Sequence, residues 1–248
     1  MRTTKAAAGC TGLLVVFLAA YNNHFANSFH FDDLHTITQN PAIRSLANLP
    51  RFFTDARTFS VLPTHATYRP LLSLSIAFYY WLAGGLNPVW FHVSTFAWYI
   101  VQLAIMYVLF VGIMDLSRPG SRNRALALFA VGWYALHPVN AETINYVIQR
   151  GDLYSTVGVI AGLVLYSRWP AGRKWGVYLI PVILGALAKP TALVFPLLLF
   201  IYIILFEAGP AQWAAPPAEC QPGPDTGRVS PRAPRLCRAA GADRKSVV

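Results

Sequence analysis

Charged residues are scarce in this sequence, and their scarcity excludes most soluble folds. Only 12% of the 248 residues are charged, whereas 55% are hydrophobic. Soluble domains carry about 25% charged residues. Because the apolar residues are concentrated in several long runs, the composition predicts an all-α polytopic membrane protein that lies in a lipid bilayer.

Cysteine is scarce as well. The three cysteines, Cys10, Cys220 and Cys237, form no CxxC pair, which argues against a disulfide framework or a cysteine zinc site. Basic residues outnumber acidic ones by 20 to 10, but they form no run with interleaved aromatic residues, so we expect no nucleic-acid partner. Eight of them lie on the predicted inner side, as the positive-inside rule predicts: Arg2, Lys5, Arg118, Arg122, Arg124, Arg168, Arg173 and Lys174.

Six apolar runs predict about six membrane spans, with the amino terminus on the inner side. The runs cover residues 6–25, 89–114, 125–136, 153–166, 175–188 and 191–206. The first run also fits a cleaved signal peptide, although we favour an uncleaved helix. The runs after residue 120 are shorter than the roughly 20 residues that a span needs, so we expect them to extend into their flanking loops.

Residues 22–88 are predicted to form a long outer loop that bears interfacial helices. Apolar residues between Ile43 and Phe53 recur at helical spacing, which indicates a short amphipathic helix on the bilayer that Pro50 would kink. The run from Leu71 to Ala83 is too short to span, so we predict a second interfacial or re-entrant helix there.

The composition changes at Glu207. Seven of the 18 prolines follow it, and no hydrophobic periodicity remains. We therefore predict a transmembrane region over residues 1–206, and the composition of residues 207–248 is that of a disordered tail. Residues 243–248 read like a translated sequencing adapter, so we favour an out-of-frame or chimeric tail over natural disorder.

Charged residues cluster on the predicted outer face. Asp32 and Asp33 follow the first span, and His30 and His35 flank them. Ionisable residues at membrane depth are costly and are candidates for function. The remaining candidates on this face are His65, Arg69, His137, Glu142, Arg150, Asp152 and Lys189.

These residue types suit an enzyme that uses a lipid-phosphate donor. A carboxylate acts as a general base towards a hydroxyl, and cationic side chains hold a phosphate. Structural explanations stay open: a salt bridge between Arg150 and Asp152 at a helix start, a helix stop at His137-Pro138, and a Lys189 side chain that extends to the interface.

Short motifs along residues 10–206 resemble the amino-terminal membrane region of the transmembrane and tetratricopeptide-repeat-containing proteins. That family belongs with the GT-C membrane glycosyltransferases and is similar to protein O-mannosyltransferases. The resemblance therefore implies a GT-C-like helical bundle. The motifs are Phe31-Asp32-Asp33, Asn40-Pro41, Tyr68-Arg69-Pro70-Leu71, Gly85-Leu86-Asn87-Pro88, Phe91-His92, His137-Pro138-Val139-Asn140-Ala141-Glu142-Thr143, Arg150-Gly151-Asp152-Leu153 and Leu187-Ala188-Lys189-Pro190.

The resemblance implies a glycosyltransferase. It would move a hexose, with mannose the first candidate, from a polyprenyl- or dolichyl-phosphate sugar to a Ser/Thr hydroxyl of a protein acceptor, with inversion. Asp32 and Asp33 would be catalytic. The residues that would bind substrate or its phosphate are His65, Arg69, Glu142, Arg150, Asp152 and Lys189.

The chain differs from this family in two ways. Pro190 stands where the family usually has Glu, and no 34-residue helical repeat is visible, so we expect an incomplete fragment. The alternative functions are a non-enzymatic membrane anchor for a repeat domain and a transporter.

We expect no cofactor. A metal ion held by His30, Asp32, Asp33 and His35 is conceivable but not favoured. The location is either a bacterial inner membrane or the endoplasmic reticulum membrane, and the lack of Asn-x-Ser/Thr sequons in the outer loops favours the bacterial one.

Overall fold

A computed structural model describes residues 9, 11–12 and 15–207 of the chain. Within these residues the regular structure is helical throughout, which confirms the all-α prediction. Short 3₁₀ turns and one π-helical turn, Leu34–Thr38, connect the α-helices. The α-helices after the first segment are α1 (Leu49–Thr54), α2 (Pro70–Leu82), α3 (Pro88–Ser117), α4 (Asn123–Leu136), α5 (Asn140–Asn145), α6 (Arg150–Arg168), α7 (Pro170–Arg173), α8 (Leu179–Ala188) and α9 (Phe195–Phe206).

Helix α3 contains the predicted span 89–114 and is the only described helix long and apolar enough to cross a membrane by length and composition. The Asn87 side chain caps it by accepting a hydrogen bond from the Val89 N–H at 3.1 Å, and Pro88 occupies its first turn. Its 30 residues correspond to about 45 Å at 1.5 Å per residue, which exceeds the roughly 30 Å hydrocarbon core.

No other described helix is both long enough and apolar enough to cross a membrane. Helix α4 has 14 residues and begins two residues before its apolar run. Helix α8 has 10 residues and is shorter than its run, whereas α9 continues the 3₁₀ turn Pro190–Val194 into one apolar helical stretch, Pro190–Phe206. Helix α6 does extend, to 19 residues. Within the first predicted span, residues 15–20 are α-helical, Tyr21 is a turn, and the 3₁₀ helix Asn22–Ala26 follows. One membrane-capable helix leaves the polytopic arrangement a prediction.

The outer loop departs from the predicted helix over residues 43–53. That stretch is divided into two 3₁₀ turns, Ala42–Arg44 and Leu46–Asn48, followed by α1. Ser45 is extended between the two turns and interrupts them. Pro50 lies in the first turn of α1, where its missing N–H has no helical partner to lose, so it begins a helix rather than kinking one. The second predicted helix is confirmed as α2.

Glycines allow α6 and α8 to pack closely. A Cβ atom at Gly158 would lie 2.4 Å from the Pro181 carbonyl oxygen, and one at Gly162 would lie 2.6 Å from Val182 Cγ2. Small residues four apart let two helix backbones approach in this way. The contact brings the first turn of α6 next to Lys189, the residue that follows α8.

A buried apolar cluster fixes the outer loop to the helices. Ile37, Phe52, Leu72, Phe91 and Ile148 are all at most 5% exposed and belong to this cluster. Burying a side chain of this size contributes about 1.5–3 kcal/mol relative to exposing it. The loop that carries the acidic pair is therefore held against α2, α3 and the turn before α6. The tail predicted over residues 207–248 lies outside the described residues after Glu207.

Candidate active site

Asp33 is an interior residue, with 0% of its surface exposed. One carboxylate oxygen, Oδ1, accepts a hydrogen bond from the Ile148 N–H at 2.8 Å, and Oδ2 accepts one from the His30 N–H at 3.2 Å. Burial raises the pKa of Asp33, while these backbone donors and the nearby charge of Arg150 oppose the rise. Asp33 thus joins two segments that are 115 residues apart.

Asp32, its neighbour, faces the surface, and its side chain is 55% exposed. The Asp32 N–H donates to the Tyr146 hydroxyl at 2.5 Å, which fixes the backbone beneath the carboxylate. Oδ1 lies 3.3 Å from His35 Nε2. The sequence placed the two aspartates side by side as one catalytic pair, whereas the structure separates them into an anchored carboxylate and an accessible one.

The turn that presents Asp32 is strained. Phe31 has a φ of 45°, the left-handed region that a residue with a large side chain seldom adopts. Its ring is exposed and contacts the Tyr146 ring edge-on, with the centroids 5.9 Å apart. Strained residues cluster at functional sites, where the surrounding structure must hold them in place.

His35 and His65 lie beside Asp32. Their rings meet edge-on with centroids 4.8 Å apart. His35 is buried, and its Nδ1 lies 2.9 Å from the Ser60 hydroxyl. His65 is exposed on a 3₁₀ turn. Among the predicted site residues, His65 is therefore brought to Asp32 from a segment more than 30 positions away.

Arg150 is an interior cation at the start of α6, with 1% exposure. Its Nε donates to the Val147 carbonyl at 3.1 Å, and Nη2 donates to the Phe91 carbonyl and the Thr95 hydroxyl, both at 3.0 Å. The guanidinium also lies over the rings of Tyr79 and Phe91. The guanidinium is enclosed, and its Nη1 is buried without a hydrogen-bond partner. The role of Arg150 as a phosphate ligand stays a prediction.

Asp152 and Lys189 form an ion pair at 2.6 Å. The same Lys189 ammonium donates to Gln149 Oε1 at 3.3 Å, and the Gln149 amide donates to Glu142 Oε1, also at 3.3 Å. Three predicted site residues, Glu142, Asp152 and Lys189, thus lie in one hydrogen-bonded chain. The salt bridge considered between Arg150 and Asp152 is replaced by the pair with Lys189.

Arg69 connects the two carboxylate groups electrostatically. It is the residue before α2, and its guanidinium lies 5.0 Å from the centroid of the Phe59 ring. Partial burial lowers the pKa of Arg69, and the charges of Asp152 and Asp32 oppose this effect. Its Nε is buried without a hydrogen-bond partner. A partly buried cation therefore lies within the field of the Asp32 and Asp152 carboxylates.

Three residues that contact the predicted site residues were not identified from the sequence. Tyr146 supports Asp32, Ser60 orients His35, and Gln149 links Lys189 to Glu142. Uncharged polar side chains carry no hydropathy signal that separates them from ordinary loop residues. Tyr146 and Gln149 could have been suspected only from their position, because they lie just before Arg150 in the sequence.

Comparison with known proteins finds relatives that are named protein O-mannosyl-transferases. The chain is 29% identical to protein O-mannosyl-transferase Tmtc1 of Drosophila melanogaster, over 82% of this chain and 23% of that protein. It is 28% identical to TMTC4 of Mus musculus, over 70% and 26%, and 27% identical to TMTC1 of Homo sapiens, over 66% and 18%. The chain thus spans about a quarter or less of the length of these relatives. No family model matches it, and no solved structure does.

These relatives are TMTC proteins, the family that the sequence motifs resemble. All three are animal proteins, so the preference for a bacterial membrane, which rested on the missing sequons, finds no support. The matched region includes most of the described residues. The chain is a homologue of the TMTC protein O-mannosyl-transferases.

Proposed function

We propose that this chain carries the reaction centre of a membrane protein O-mannosyl-transferase, with Asp32 as the general base. One observation supports this most: an exposed carboxylate, anchored through its own backbone, lies within the field of Arg69, a partly buried cation. A sugar transfer from a lipid phosphate needs such a base and such a cation together.

The proposed step balances as a single displacement. The Asp32 carboxylate takes the proton of a Ser/Thr hydroxyl as that oxygen attacks the anomeric carbon of a polyprenyl-phosphate mannose. The bond from the anomeric carbon to the phosphate oxygen breaks, and its electron pair stays on the polyprenyl phosphate. Configuration at the anomeric carbon inverts, because attack and departure occur on opposite faces.

The cations have different parts in this proposal. Arg69 offsets the charge that develops on the leaving phosphate through the charge of its partly buried guanidinium. Lys189 uses two of its N–H groups on Asp152 and Gln149, and the third is available to the phosphate. Arg150 and Asp33 position the turn between them rather than contact the substrate.

The membrane arrangement completes the proposal. We place α3 and the shorter apolar helices in the bilayer as a GT-C-like bundle, with Asp32, Arg69 and Lys189 on the lumenal face of the endoplasmic reticulum membrane. The protein acceptor approaches from that face and the donor lipid from the bilayer. The donor sugar is a substrate, and the step needs no cofactor.

The test is mannose transfer by the purified chain in lipid nanodiscs. The donor is radiolabelled polyprenyl-phosphate mannose, and the acceptor is a Ser/Thr-rich peptide. We expect transfer by the wild type and at least a 100-fold loss in Asp32→Asn, since a general base contributes about 10²–10⁴-fold.

Asp55→Asn is the matched control. Asp55 is another exposed carboxylate of the same outer loop, and an asparagine retains the oxygen that accepts from the Arg57 N–H. We expect its activity to equal that of the wild type. Undiminished transfer by Asp32→Asn would overturn the assignment of the base, and a wild type without donor binding would overturn the function.

A further inference from the structure

Asp32, His35 and His65 converge on one point at the edge of the outer loop. Each offers one ligand atom, and these atoms all lie within 4.8 Å of one another. The sequence had grouped Asp32 and His35 with His30 and Asp33 instead. Asp33 uses both oxygens on backbone donors, so the structure replaces that set by one that includes His65.

The Nε2 atom of His35 points most clearly to metal binding. His35 is 9% exposed, and this ring nitrogen is buried without a hydrogen-bond partner. It nevertheless lies 3.3 Å from Asp32 Oδ1. Two ligands at about 2.0–2.1 Å from a tetrahedral zinc ion are about 3.3–3.4 Å apart, so the separation suits two atoms that share a cation.

The opposite side of the His35 ring is held in place. Its Nδ1 lies 2.9 Å from the Ser60 hydroxyl, whose oxygen also accepts the Leu62 N–H at 2.9 Å. A metal-bound histidine characteristically donates its other ring N–H to a nearby acceptor. When Nδ1 donates to Ser60, the lone pair of Nε2 faces Asp32 and His65.

We infer that Asp32, His35 and His65 form a binding site for a divalent transition-metal ion. Two neutral imidazoles and one carboxylate suit zinc and its first-row neighbours. Asp32 and His65 are exposed, so the ion enters from the outer face, and three protein ligands leave a position for water. Binding through Oδ1 leaves Oδ2 of Asp32 unliganded. The inference does not depend on the proposed transfer reaction, because it concerns binding alone.

The experiment titrates Co²⁺ into the chelator-treated full chain in detergent micelles, purified without a histidine tag. We expect one Co²⁺ per chain, a visible ligand-field absorption band, and loss of the band when Zn²⁺ is added. We expect the His65→Ala variant to bind Co²⁺ about 100-fold more weakly. Removing a residue that only supports a metal ligand lowers metal affinity by about 10–100-fold, and losing a ligand itself should cost at least as much. The His65 side chain is exposed, so this variant should melt at the wild-type temperature.

His30→Ala is the control, because His30 is an exposed histidine close in sequence that lies outside the cluster. Its affinity for Co²⁺ should equal that of the wild type. The inference fails if the wild type binds no Co²⁺, if His65→Ala binds as tightly as the wild type, or if His30→Ala loses as much affinity as His65→Ala.

Discussion

The Asp32–Asp33 turn and the first turn of α6 divide their charges in the same way. In the first, Asp33 is interior and Asp32 faces the surface. In the second, Arg150 is interior, whereas Asp152 pairs with Lys189 at a partly exposed position. The two interior charges even bind the same segment, because Asp33 accepts from the Ile148 N–H and Arg150 donates to the Val147 carbonyl.

This division shows that neighbouring charges have separate tasks. A buried charge is tolerated when hydrogen bonds replace the water it has lost, and Asp33 and Arg150 obtain those bonds largely from backbone groups. Such a residue sets the shape of the site. The exposed partner keeps its solvation and its freedom to meet a substrate. Substitution of an interior charge should therefore affect mainly stability, whereas substitution of an exposed charge should affect mainly function.

The largest expected effect on stability comes from Arg150→Ala. Removing this guanidinium leaves the carbonyls of Val147 and Phe91 without their donor and takes a positive charge away from buried Asp33. We expect the free energy of unfolding to fall by about 3–5 kcal/mol, measured by denaturant unfolding in detergent micelles. Arg51→Ala is the control, because Arg51 is exposed. Equal losses in the two variants would contradict the comparison.

A smaller effect is expected from Asp33→Asn. Asparagine keeps one acceptor but turns its amide group towards a backbone N–H, which costs about 1–3 kcal/mol. The cost should depend on pH, since burial raises the pKa of Asp33 above its ordinary 3.8.

The sign of this dependence follows from linkage. A carboxyl group with a raised pKa in the folded state stabilises fully below the unfolded pKa of 3.8, and the contribution is lost as the pH rises through the folded pKa. The stability advantage of the wild type over Asp33→Asn should thus shrink from below pH 3.8 upwards. Unfolding curves at a series of pH values measure it, and an advantage that grows with pH would refute the raised pKa.

The smallest effect on stability is expected from Lys189→Met. A partly exposed ion pair contributes about 1 kcal/mol or less. Arg173→Met is matched to it, because the Arg173–Glu207 pair is similarly exposed, with its atoms 2.8 Å apart. Arg173→Met also removes a hydrogen bond to the Tyr166 carbonyl and a contact with the Tyr166 ring, so Lys189→Met should lose the smaller stability of the two. Lys189→Met alone should raise the KM for the lipid-phosphate donor, by about tenfold for one lost charge-assisted hydrogen bond. Equal KM values in the two variants would remove Lys189 from the site.

Much of the helical layout could be predicted from hydrophobic periodicity. Helices α2, α3 and α4 lie within a few residues of their apolar runs. The prediction of a single helix over residues 43–53 was wrong, because Ser45 adopts an extended conformation and Pro50 lies at the start of a separate helix. Sequence spacing does not reveal which of several local conformations the apolar cluster beneath the loop selects.

The candidate site was predictable as a set of charges but not as a set of roles. The motifs brought Asp32, Arg69, Asp152 and Lys189 to attention. They could not rank Asp32 above Asp33, since burial of Asp33 depends on the Ile148 N–H, 115 residues away. They likewise missed the contact of His65 with His35.

The sequence by itself determined the helical class, the apolar runs and the kinship with the TMTC proteins, because these properties reside in composition and local order. The tertiary structure decided which charges are interior, which pair, and which meet at Asp32. Hydrogen bonds and ion pairs act over about 3 Å between residues far apart in the chain. Their partners are therefore fixed only when the helices pack and bring the Val147–Gln149 turn against the acidic loop.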